Sequence, residues 1–144
     1  MNKIKNLFFK EKKQKKLKLV FIVEDNVVYA KTLELYLKEK FPHSEIKYFP
    51  VGELCTNQLH LNPDVIIMDY FLNGKYYDAV DGLEIIREIK SNKRNVNIIL
   101  ISSQNKADVV VEAVKEIGKN NYVVKDEMAF KNIDFIIKSV FKFI

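Results

Sequence analysis

Cysteine occurs once, at position 55, which excludes an internal disulfide and any metal site built on several thiolates. No apolar run approaches the ~20 residues that a membrane-spanning helix needs. The opening MNKIKNLFFKEKK is basic, but its apolar stretch is far too short for an export signal. Without such a signal, a reducing cytoplasm is the expected compartment. There is also little room for a second domain. The 144 residues make one ordinary domain, long enough to bury roughly 68–70% of its unfolded surface. With 48% hydrophobic and 30% charged residues, the composition is neither that of a disordered chain nor that of a membrane protein.

The surplus of positive charge is local. The chain carries a formal +5, yet residues 1–18 alone hold eight lysines against the single acid Glu11. Residues 19–144 hold 16 basic and 18 acidic side chains, a net of −2. A basic, flexible tail over residues 1–16 is therefore expected before a slightly acidic folded unit, residues 17–144. The body carries no expectation of specific nucleic-acid binding. The tail reads either as a solvated leader or as a weak, nonspecific contact to anionic surfaces. Those surfaces are phosphates met by the lysines, or a membrane met through Ile4, Leu7 and Phe8.

From residue 19 onward, short apolar runs alternate with segments of helical period. The runs are Leu19–Val23, Ile46–Phe49, Val65–Met68, Ile98–Ile101 and Tyr122–Val124. Most are unbroken aliphatic stretches, as expected for strands buried on both faces of a parallel sheet. Ile46-Lys47-Tyr48 alternates instead, which suits an edge strand. Between the runs, Val110, Ala113, Val114 and Ile117 fall at helical spacing, as do Ile133, Ile136, Ile137 and Val140. Leu33 with Leu37 and Ile85 with Ile89 mark two more helices. Leu54, Cys55 and Leu59 mark a weaker one, ended by Asn62-Pro63. The expected fold is α/β: a flavodoxin-like, doubly wound (βα)5 domain with a five-stranded parallel sheet and right-handed crossovers. In such a sheet, ligands sit beyond the carboxyl ends of the strands, near the switch in strand order.

The chemistry-bearing residues stand at those ends. The first strand runs into Glu24-Asp25, the third into Asp69, the fourth into Ser102-Ser103 and the fifth into Lys125. Converging carboxylates repel one another unless a hard cation joins them. Oxygen ligands without His or Cys favour Mg²⁺, with Mn²⁺ as an alternative. The hydroxyl and the ammonium are then left to bind an anionic oxygen group, so a carboxylate beside them can accept a phosphoryl group. Each residue alone has an ordinary reading, as a helix cap or a surface charge. Their joint placement on matching strands is what points to a site.

VFIVEDN at 20–26, DVIIMDYFL at 64–72, DGLEIIREIK at 81–90, IILISSQ at 98–104 and YVVKDE at 122–127 together resemble the receiver domain of two-component response regulators. That group includes the chemotaxis receiver. The resemblance covers residues 17–144 and implies the strand order 2-1-3-4-5. It implies that Asp69 is the phosphoacceptor, taking its phosphoryl group from a histidine kinase or a histidine phosphotransfer protein. Asp25 would bind the metal directly and Glu24 through water, with the backbone carbonyl of Phe71 as a further ligand. Ser102 matches the hydroxyl that moves to the phosphoryl group, Lys125 the lysine that pairs with it, and Tyr122 the aromatic switch. The output face would be the fourth helix, fifth strand and fifth helix, open to pairing of two copies. Lys106, Asp108, Glu112, Lys115 and Glu116 give that face mixed charge. By the same resemblance Phe71 and Gln104 would border the path of a hydrolysing water, and a slowly decaying phosphoryl group is expected. The expected protein is a switch that assists its own phosphotransfer and dephosphorylation rather than an enzyme. It is either a stand-alone receiver or one excised from a longer regulator.

Some positions depart from the family pattern. Asn73 stands where a proline is usual, and the segment Gly74–Asp81, carrying Tyr76 and Tyr77, makes the loop after the third strand about five residues longer than usual. Asp126 replaces the usual proline after Lys125, so a trans peptide is expected there, the cis form costing ~2.5–4 kcal/mol. A rival reading, an aspartate-nucleophile phosphohydrolase, would want a second acid two residues past Asp69, where Phe71 stands, and a longer chain.

Overall fold

Each unbroken apolar run becomes a strand, and each segment of helical period lies across one face of the resulting sheet. The computed structural model describes residues 17–70, 82–92, 95–103, 107–118 and 121–143, the side chains of 107–110 and 143 excepted. The strands are β1 (Lys18–Val23), β2 (Ser44–Phe49), β3 (Val65–Asp69), β4 (Asn97–Ser102) and β5 (Tyr122–Val124). The helices are α1 (Val27–Lys40), α2 (Gly52–Thr56), α3 (Gly82–Asn92), α4 (Ala107–Ile117) and α5 (Ala129–Phe143). All strand pairs are parallel, in the order β2-β1-β3-β4-β5. This is the expected doubly wound sheet, with the alternating Ile46–Tyr48 segment on one edge.

Alternate side chains of each strand point to opposite faces and feed two cores. Phe21, Val23, Ile66, Met68, Ile98 and Leu100 pack under α2, α3 and α4. Val20, Ile22, Val65, Ile67, Ile99 and Ile101 pack under α1 and α5. Burial on both faces explains why these strands show no polar alternation. Among the described residues, no helix is long and apolar enough to cross a membrane.

The site-bearing helix α1 begins where Asn26 caps it. The Asn26 side chain accepts a hydrogen bond from the backbone N–H of Tyr29 at 3.0 Å, satisfying one of the free donors of the first turn. Ala30, Leu33 and Leu37 form its buried stripe, and Lys38 and Lys40 complement the dipole at its last turn.

The second helix differs from its sequence reading. Instead of one weak helix through Leu54, Cys55 and Leu59, α2 stops at Thr56 and a separate 3-10 turn covers Leu59–Leu61. Cys55 and Leu59 are buried as expected, but Leu54 is 46% exposed. The Thr56 hydroxyl donates back to the Glu53 carbonyl at 2.9 Å, and the Gln58 N–H bonds to the Cys55 carbonyl, tightening the turn. Asn62, in the left-handed region at φ 56°, and Pro63 then end it.

Candidate functional site

Strand order decides which carboxyl ends meet. β1 lies between β2 and β3, with Val23 opposite Met68, so Glu24 follows β1 beside the terminal Asp69 of β3. β4 ends in Ser102 next to Asp69, and β5 leads into Lys125. Backbone bonds extend the ladder past the strands: the Tyr70 N–H reaches the Ile101 carbonyl at 2.9 Å, and the Lys125 N–H the Ser102 carbonyl at 2.8 Å. These bonds hold the chain in register where the site residues project. Gly82, at the start of α3, packs so closely on β3 that a Cβ there would sit 2.3 Å from the Asp69 carbonyl oxygen. Its N–H donates to the Tyr70 carbonyl at 2.9 Å.

The carboxylates of Glu24, Asp25 and Asp69 converge as the sequence suggested, with ligand oxygens all within 4.8 Å of one another. Glu24 and Asp69 are buried and Asp25 half-buried. Lys125 reaches across the sheet, placing Nζ 2.7 Å from Glu24 Oε2 and 3.3 Å from Asp69 Oδ2. The other oxygen of Glu24, Oε1, accepts from the Asn26 N–H at 3.1 Å. Ser102 is fully buried at the end of β4.

One ammonium does not offset this density of negative charge. Burial, and next the charge of Asp69, push the Glu24 carboxyl up to about 8, against the opposing pull of Lys125. An oxygen-only donor set carrying excess negative charge fits a hard divalent cation. Glu24, Asp25 and Asp69 are therefore suited to hold Mg²⁺ or Mn²⁺.

Tyr122 is half-buried and packs against the core beneath α3 and α4, opposite Leu100 on β4. Two strand positions past Leu100 stands Ser102, so the proposed switch pair is held on neighbouring strands. The Lys125–Asp126 peptide is trans, as expected, there being no cis bond among the described residues. On the α4 face, Glu112 and Lys115 are exposed, while Glu116 meets Arg87 of α3 at 3.0 Å. Glu116 is thus already engaged within the chain. Phe71, Asn73, the 74–81 segment with Tyr76 and Tyr77, Gln104, Lys106 and the basic tail lie outside the described residues, as does the side chain of Asp108.

Sequence reasoning missed Tyr29. Its ring lies 4.5 Å from the Lys125 ammonium and edge-on to Phe130 at 5.5 Å. Burial, then the charges of Glu24, Asp69 and Asp126, push its hydroxyl up to about 12. The available signal was its place in the first turn of α1, four residues past Asp25.

A family model for the response regulator receiver domain matches residues 20–136. The chain is similar to the transcriptional regulatory protein MalR of Bacillus subtilis, 26% identical over 113 residues, covering 74% of this chain and 43% of MalR. It is similar to the transcriptional regulatory protein CssR of the same organism, 29% identical over 106 residues, covering 74% of this chain and 44% of CssR. The chain thus spans less than half the length of these curated relatives. Among solved structures, the signal receiver domain of a DNA-binding response regulator (merR) from Colwellia psychrerythraea is 26% identical with a TM-score of 0.75. That match covers 87% of this chain and 98% of the other.

Proposed function

The chain belongs to the response regulator receiver domain family, and on that premise we propose that it is a phosphorylation-dependent signalling switch whose acceptor is Asp69. The observation that carries the reading is the contact of one ammonium, Lys125, with both Asp69 and Glu24 inside a three-carboxylate cluster. A carboxylate oxygen of Asp69 attacks the phosphorus of a phosphohistidine on a histidine kinase or phosphotransfer protein. The P–N bond breaks, and the imidazole leaves with the bonding pair and takes a proton from solvent. Hydrolysis later breaks the new P–O bond by attack of water, releasing phosphate and restoring the carboxylate. The chain assists both steps but turns over no separate substrate.

Glu24, Asp25 and Asp69 would hold the cation, with the Phe71 carbonyl as a further ligand. When bound, Mg²⁺ supplies positive charge that offsets the carboxylates and the incoming phosphoryl oxygens. Lys125 is free to exchange its contact with Asp69 for one with a phosphoryl oxygen, a charge-assisted bond. Ser102 donates to another oxygen, and the half-buried Tyr122 follows into the space that this leaves. The change is read out at α4, β5 and α5.

Incubation with acetyl phosphate and Mg²⁺ tests the acceptor. Intact mass is expected to rise by one phosphoryl unit, and Asp69→Ala to abolish the rise. Equal labelling of that variant would remove Asp69 from its role.

A further inference from the structure

Lys125 is enclosed on two sides by acids and on a third by an aromatic face. Its ammonium stands 2.7 Å from Glu24, 3.3 Å from Asp69 and 4.5 Å from the centroid of the Tyr29 ring. A cation over a tyrosine face is attracted by the ring quadrupole, and more strongly where water is excluded. Here the Lys125 side chain is only 16% exposed. The ring in turn is fixed. It abuts Phe130 edge-on at 5.5 Å, Phe130 meets Tyr36 at 5.3 Å, and all three pack against the core between α1 and α5.

From this geometry we infer that Tyr29 is a positioning residue for phosphoryl transfer, holding the Lys125 ammonium over the acceptor with its ring face. The inference rests on the reading of Asp69 as phosphoacceptor. It assigns the function to the ring and not to the hydroxyl. The Tyr29 hydroxyl is buried and has no hydrogen-bond partner among the described residues, so it anchors nothing there. A flexible lysine without an opposing wall samples many rotamers, and each one that withdraws Nζ from Asp69 is unproductive. The ring narrows that set. It does so without neutralising the charge, as a third carboxylate would.

The test compares Tyr29→Leu and Tyr29→Met, which remove the π-face, with Tyr29→Phe, which keeps it. Labelling of Asp69 by acetyl phosphate with Mg²⁺ is timed by intact mass, and folding is followed by thermal melting. Leu and Met are expected to slow labelling roughly 3- to 30-fold, the span to which a cation–π contact converts. Phe is expected to recover most of that loss. In a Lys125→Ala background, Tyr29→Leu should add no further loss, because the ring acts through the lysine. A Phe variant as slow as Leu, Leu and Met variants as fast as wild type, or an undiminished Leu effect without Lys125 would each overturn the inference while leaving Asp69 as acceptor. Failure of the wild-type chain to label at all would overturn the parent reading and this one together.

Discussion

The ammonium of Lys125 lies 2.7 Å from Glu24 Oε2, although 101 residues separate the two in the chain. The pair is nearly dry, Glu24 being 1% and Lys125 16% exposed at the side chain. Such a pair contributes little net stability against its desolvation cost, but breaking it by removing one partner strands a buried charge. Its consequence is electrostatic: it ties the first and fifth strand ends together beside Asp69.

Stability of the metal-free chain should depend on pH through Glu24. Its carboxyl is pushed from 4.5 up to about 8 in the folded state, chiefly by burial. The folded chain therefore binds the proton more tightly than the unfolded one. Stability from this group is fully present below pH 4.5 and is lost as pH rises towards about 8. Thermal melts in a chelator across that window should show a falling midpoint, and Glu24→Gln should flatten it. A flat wild-type profile would refute the link.

Divalent cation should act in the opposite direction at neutral pH. If the proposed site holds Mg²⁺ in the folded state alone, the melting midpoint should climb with its concentration, the stability gain reaching about 2.7 kcal/mol at 100 times the dissociation constant. Asp69→Asn removes one of the three clustered carboxylates and should shrink the shift. An identical Mg²⁺ response in that variant would place the cation elsewhere.

Gly82→Ala should damage the fold beside Asp69. The added methyl would meet the Asp69 carbonyl oxygen at 2.3 Å, and backbone cannot yield as a side chain tip does. A loss of about 1–3 kcal/mol in denaturant unfolding is expected, together with slower phosphoryl labelling. Wild-type stability would mean that α3 shifts freely over β3.

The phosphoryl group should decay slowly. By family resemblance Phe71 would border the water path, and a phenylalanine side chain offers no hydrogen bond to orient a water. Phe71→Asn should therefore speed phosphate release, timed after removal of the donor. An unchanged or slower rate would mean that Phe71 is not the barrier.

Two copies should pair through α4, β5 and α5 when a phosphoryl mimic is bound. Exposed Glu112 and Lys115 supply opposite charges on that face, whereas Glu116 is held by Arg87. Sedimentation is expected to show the mass doubling on addition of the mimic. A constant mass would assign the face to a different protein.

The sequence by itself determined the fold class and most of the site. Aliphatic runs this short, without polar alternation and separated by amphipathic helical segments, fit strands covered on both faces, and helices between them favour parallel pairing. Glu24, Asp25, Asp69, Ser102 and Lys125 were legible because strand ends in such a sheet share one edge. The second helix was less legible, since Leu54, Cys55 and Leu59 satisfy a helical stripe while Thr56 and Asn62 favour local turns instead. Only the tertiary structure decided how the charges meet. Strand order puts Glu24 beside Asp69 and lets Lys125 span the edge to both, and the burial that results raises Glu24. It also brings the Tyr29 ring to Lys125, a contact between residues 96 apart that no local spacing encodes. Periodicity reports which face a residue occupies. What lies across that face is set by the packing of α1 against α5.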